Sequence, residues 1–173
     1  VGTLEPRKNL AFLARVWGRA ARDGIELAPL LVVGARGWGD DPFGDELRRR
    51  GIEGAVRALG PQSDEALAAL YQRAEALVFP TLYEGFGLPP LEAARMGTPT
   101  VAHDIPVLRE GAAAAGVLLP VDDPAPWVEA LVRLQDDPEH RDTLGRRANE
   151  ISSGSTWENA ARELAAIFEE VAP

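Results

Sequence analysis

Short continuous apolar runs alternate along this chain with stretches whose apolar residues recur at helical spacing, and that alternation narrows the fold more than any other feature. Leu10, Leu13, Ala14 and Trp17 fall at i, i+3, i+4 and i+7, one face of a helix. Leu30–Val33 is an unbroken apolar run closed by Gly34, as a strand buried on both faces reads. A short helix over about 41–50 follows, then a strand at 56–59 ending on Gly60, and a helical stripe of Leu67, Leu70, Tyr71 and Ala74. Residues 76–79 form the next buried strand, stopped by Pro80. Beyond it the pattern predicts a helix at 89–95 closed by Gly97, short strands at 100–102 and near 117–119, and helices over 124–135, 138–151 and 156–171. Strands alternating with helices imply an α/β fold, a parallel sheet with helices on both faces. Ligands of such sheets sit beyond the carboxyl ends of the strands, so the loops after Val1, Val33, Leu59, Phe79 and Ala102 are the ones to search.

The 173 residues suit one domain, residues 1–173, and 46% hydrophobic with 26% charged residues predicts a folded one. A net charge of −9 argues against a nucleic-acid partner, which needs a basic surface to replace phosphate counterions. A local basic pocket for a small anion remains compatible with it. The absence of cysteine removes disulfides, thiolate metal sites and a Cys nucleophile. No apolar run approaches the ~20 residues that span a bilayer, no signal peptide is visible, and a cytoplasmic location is expected. The chain opens on Val1 in what reads as a strand end, so a piece of a longer protein is expected.

Several motifs fail. Gly34-Ala35-Arg36-Gly37-Trp38-Gly39 has the order G-x-x-G-x-G, not the dinucleotide order. The sole lysine, Lys8, is followed by Asn9, which excludes a phosphate loop of the G-K-[ST] kind. No nucleophile elbow and no D-x-D occur, and His103 and His140 lack neighbours at metal spacing, so no metal is expected. His140 reads as a solvated helix residue; His103 follows a strand in a ligand-facing loop. Asp-Asp-Pro recurs at residues 40–42, 122–124 and 136–138, where Asp caps a helix and Pro fits its first turn. Ser155 and Glu158 have capping-box spacing, with Ala160, Leu164, Ile167, Phe168 and Val171 as the apolar stripe that follows.

The segment 80–94, Pro-Thr-Leu-Tyr-Glu-Gly-Phe-Gly-Leu-Pro-Pro-Leu-Glu-Ala-Ala, follows a buried strand with a Gly-punctuated loop and a helix start. Gly85 and Gly87 let the backbone approach a ligand or take positive φ. The helix N-terminus is expected to present unpaired N–H groups and a positive dipole end to a phosphate. Glu84 and Glu92 can point into one crevice and accept hydrogen bonds from sugar or ribose hydroxyls. Taken singly, each residue also fits a bland reading: Glu suits a first helical turn, and Gly-Phe-Gly suits an ordinary turn.

As a string, the segment resembles the E-x7-E motif of glycosyltransferase family 4, the retaining group 1 enzymes of the GT-B fold. The resemblance extends over nearly the whole chain. Residues 1–10 look like the first strand and loop of that family's C-terminal domain, residues 97–102 like its post-motif strand, and residues 155–158 like its last helix start. It implies a Rossmann-like domain, one of a GT-B pair, that binds a nucleoside-diphosphate sugar without a cofactor or metal. Lys8 would hold the donor diphosphate and stabilise the leaving group, and Glu84 would contact the sugar or support charge at its anomeric carbon. Backbone groups of Gly85, Phe86, Gly87 and Leu88 would bind sugar hydroxyls and phosphate. Glu92 would take the ribose hydroxyls, and the base would lie against residues 57–59. Gly2 and Thr3 belong to the donor loop, where many members carry Arg at the position of Thr3; Arg7 is the candidate second cation. The acceptor domain would lie N-terminal to this chain, so the chain alone should bind donor without transferring sugar. Any peripheral membrane contact would come through that half. Two alternatives stay open: a GT-B epimerase or phosphorylase domain, and an inactive scaffold that kept the fold.

Overall fold

The computed structural model describes residues 1–38 and 42–171. Gly39, Asp40 and Asp41 lie outside them, and with them the first Asp-Asp-Pro reading and the start predicted for the second helix.

Among the described residues there are five parallel strands: β1 (Leu30–Val33), β2 (Val56–Gly60), β3 (Leu77–Phe79), β4 (Thr100–His103) and β5 (Val117–Leu119). They form two sheets, β1-β2 and β3-β4-β5. Eight α-helices accompany them among the same described residues: α1 (Leu10–Arg22), α2 (Phe43–Arg50), α3 (Asp64–Arg73), α4 (Leu88–Arg95), α5 (Pro106–Glu110), α6 (Ala125–Asp136), α7 (Pro138–Ser152) and α8 (Trp157–Val171). Of these, α5 was not foreseen.

Strand alternation sends neighbouring residues of β4 into different cores. Val101 joins a cluster made with Phe12, Val16 and Trp17 of α1 and Trp127 and Leu134 of α6. Ala102 joins Tyr71 of α3, Phe79 and Ala93 of α4 on the other face. Both faces are thus covered by helices, as the apolar runs predicted. Phe12 and Trp127 meet edge to face at 5.2 Å, and the Trp127 indole donates to the Pro120 carbonyl, so its one polar atom is satisfied while the ring is buried.

The capping expectations divide. Asp137 accepts from the His140 amide at the start of α7, and Asp123 accepts from the Ala125 amide ahead of α6. At α8 the cap is Thr156, whose hydroxyl accepts from the Asn159 amide, not Ser155 with Glu158. The Asn159 side chain instead donates to the Gly154 carbonyl, which shifts the start by one residue. The stripe of Leu164, Ile167 and Phe168 on α8 is exposed. Among the described residues no helix is long and apolar enough to cross a membrane.

Candidate functional site

Lys8 ends a short 3-10 turn, Pro6–Lys8, and lies only 9% exposed, which is rare for lysine without a partner. Its Nζ donates to Oε1 of Glu84 at 2.5 Å and stands 5.0 Å from the Phe79 ring centroid. Arg7 Nη1 reaches the same oxygen at 2.8 Å and the Tyr83 carbonyl at 3.1 Å, while its Nε pairs with Glu5 at 2.6 Å. Thr81, fully buried, stands 3.0 Å from Glu84 Oε1 through its hydroxyl. One carboxylate oxygen therefore takes two cations and a hydroxyl. The loop after β3 is tied to the turn before α1 by more than charge: the Leu82 amide donates to the Arg7 carbonyl, and the Asn9 side chain donates to that of Pro80. Asn9 itself sits at φ 54, a left-handed conformation that Asn tolerates better than most residues.

Gly87 caps α4 at φ 92, where a side chain would be strained and a Cβ would stand 2.9 Å from Leu108. The helix offers fewer donors than its N-terminus was expected to give. Positions 89 and 90 are prolines without N–H, and the Leu91 amide bonds to the Gly87 carbonyl. The positive end of the dipole remains at this helix start. Glu92, one turn on, is exposed, and its Oε2 accepts a 2.9 Å hydrogen bond from the buried Tyr71 hydroxyl. Burial, followed by the negative charge of Glu92, pushes the Tyr71 phenol well above its usual range.

Gly2 approaches Gly34 so closely that a Cβ on Gly34 would fall 1.9 Å from the Gly2 carbonyl oxygen. The Gly-rich run after β1 therefore serves to pack the N-terminal loop, and Gly37 likewise crowds Leu4. Thr3 is exposed; Arg7 and Lys8 are the cations brought together. Residues 57–59 lie exposed on β2. His103 places Nδ1 2.8 Å from the Thr81 carbonyl, so it supports the Glu84 loop. Glu5, Tyr71 and Thr81 were not singled out from the sequence. Tyr71 falls on a helical apolar stripe and Thr81 is a single hydroxyl after a strand, so neither differs in pattern from core or turn.

The family described as Glycosyl transferases group 1 matches residues 1–137. The O-antigen chain mannosyltransferase B of Escherichia coli is 37% identical over 164 residues, 94% of this chain and 43% of that protein. Among solved structures, sucrose-phosphate synthase from Thermosynechococcus elongatus superposes with a TM-score of 0.86 at 26% identity, covering 99% of this chain and 44% of that one. Anabaena HepE, solved in complex with UDP and glucose, superposes with a TM-score of 0.78 at 19% identity, over 98% of this chain and 48% of its own. The chain thus spans less than half the length of these relatives.

Proposed function

This chain belongs to the group 1 glycosyl transferases, and on that premise we propose that it is the donor-binding domain of a retaining enzyme moving a sugar from a nucleoside diphosphate to an acceptor. The observation that carries the reading is the convergence of Lys8 and Arg7 on Glu84 beside the Gly87 cap of α4. Cations, loop amides and the start of a helix are the groups that would suit a diphosphate. That HepE was solved with UDP and glucose on the same fold supports the nucleotide part of the reading.

As the bond from the anomeric carbon to the diphosphate lengthens, negative charge grows on the leaving group and positive charge on the sugar. Lys8 Nζ and the amides of residues 85–88 would stabilise the first, and Glu84 the second, all preorganised and none needing a metal. Glu84 neutralises Lys8 before donor arrives, which keeps a buried ammonium from standing alone. Glu92, held by Tyr71, would accept from the ribose hydroxyls. The acceptor and its groups would come from another domain, so the chain alone is expected to bind donor and leave it intact. The cation pair at residues 7 and 8 would take the part that many members give to Arg at the position of Thr3.

A thermal-shift screen of UDP- and GDP-sugars tests this, because a ligand bound to the native state raises its apparent stability. At least one sugar nucleotide should raise the melting temperature, with no sugar released without acceptor. No shift with any nucleotide would favour the inactive-scaffold alternative, and donor changed without acceptor would favour an epimerase.

A further inference from the structure

Among the described residues, Glu5 and Lys8 are the only charged side chains that are buried, at 8% and 9% exposed. Lys8 is paired with Glu84, whereas Glu5 is paired with Arg7 alone, Oε1 to Nε at 2.6 Å. Gly37 lies against Glu5: a Cβ there would stand 3.3 Å from the Glu5 Cβ. Burying a carboxylate is costly unless a cation in good geometry repays it.

Charge alone makes Glu5 a poor neighbour for an anion. Arg7 and Lys8 face Glu5 and Glu84, so the four side chains are neutral together. Without the charge of Glu5 the group would carry one net positive charge and attract a diphosphate more strongly. What Glu5 supplies is direction. The guanidinium is planar and presents its donors in a fixed fork. Its plane is held at both ends, with Nε on Glu5 and Nη1 on Glu84 and the Tyr83 carbonyl. Nη2 has no partner among the described residues, and the Arg7 side chain is 38% exposed.

We propose that Glu5 is a positioning residue, which holds Arg7 by Nε so that Nη2 is presented to the donor diphosphate. A guanidinium already fixed at two points loses little side-chain freedom when the ligand arrives, which offsets the charge that Glu5 cancels. The proposal rests on the donor-binding reading.

Titration calorimetry with UDP and GDP tests it on the wild type, Glu5→Met, Glu5→Gln, Arg7→Met and the double variant Glu5→Met with Arg7→Met. Glu5→Met should weaken binding ~5-fold or more although it removes a negative charge, and it should have no further effect in the Arg7→Met background. Glu5→Gln, which keeps an oxygen beside Nε, should stay within about 2-fold of the wild type. Glu5→Met that binds as tightly as the wild type, or more tightly, would overturn the proposal and leave the donor-binding reading standing. So would a loss of equal size in the Arg7→Met background, or Glu5→Gln as weak as Glu5→Met, since either makes Glu5 a support for the loop and not for Arg7. If Glu5→Met does not fold, Arg7→Lys carries the test, because it keeps the charge and loses the fork. It should weaken binding ~5-fold or more, and wild-type affinity would overturn the proposal. A wild type that binds neither nucleotide would sink the donor-binding reading and this proposal with it.

Discussion

The Tyr71 hydroxyl donates a 2.9 Å hydrogen bond to Oε2 of Glu92, so a buried phenol on α3 sets the direction of an exposed carboxylate on α4. If Glu92 takes the ribose, removing that hydroxyl should weaken nucleotide binding without touching nucleotide. Tyr71→Phe is expected to lower UDP or GDP affinity ~3- to 10-fold, the worth of one ordinary hydrogen bond, because the hydroxyl acts on the ligand only through Glu92. In a Glu92→Ala background it should have almost no further effect, because the two act through one contact. Titration calorimetry on the four proteins checks this.

The same pair makes a pH prediction. The Tyr71 phenol is raised in the folded state, first by burial and then by Glu92, while an unfolded tyrosine ionises near its ordinary value of 10. Its contribution to stability is therefore complete below about pH 10 and is lost as pH rises above it. Melting temperature should fall more steeply above pH 10 in the wild type than in Tyr71→Phe.

Lys8 and Glu84 should not be equivalent on mutation. Lys8→Met leaves Glu84 with Arg7 and Thr81, whereas Glu84→Gln leaves a buried ammonium without its carboxylate. Glu84→Gln is expected to cost about 2–4 kcal/mol and Lys8→Met at least about 1 kcal/mol less, by urea denaturation.

Gly34→Ala places a Cβ 1.9 Å from the Gly2 carbonyl oxygen at a φ of +142°, so the N-terminal loop must move. A loss of about 3 kcal/mol or more is expected, against less than about 1 kcal/mol for Gly54→Ala, where nothing stands within 4 Å. Thermal melts of both variants give the comparison.

Much of this architecture is legible in the residue pattern. Leu30–Val33 and residues 76–79 read as central strands because they are apolar on both faces, and β1 and β3 follow. The α5 helix escapes because five residues carry too little periodicity to stand out. The division of the sheet escapes because strand pairing is a long-range property that no local run encodes. At the site, Glu84, Glu92 and Lys8 are charged residues in apolar or glycine-rich surroundings and draw notice. Tyr71 and Thr81 do not, because a tyrosine on a helical stripe and a threonine after a strand are ordinary until their hydroxyls are seen to meet those carboxylates.

Whether a nucleoside-diphosphate sugar binds at Glu84 and Glu92 is decided by titration calorimetry with UDP- and GDP-sugars on the wild type and on Glu92→Ala. Saturable binding of at least one sugar nucleotide to the wild type is expected, with a loss of ~10-fold or more in Glu92→Ala, from the ribose hydroxyls left without their acceptor. Binding of equal strength to both proteins, or to neither, would contradict it.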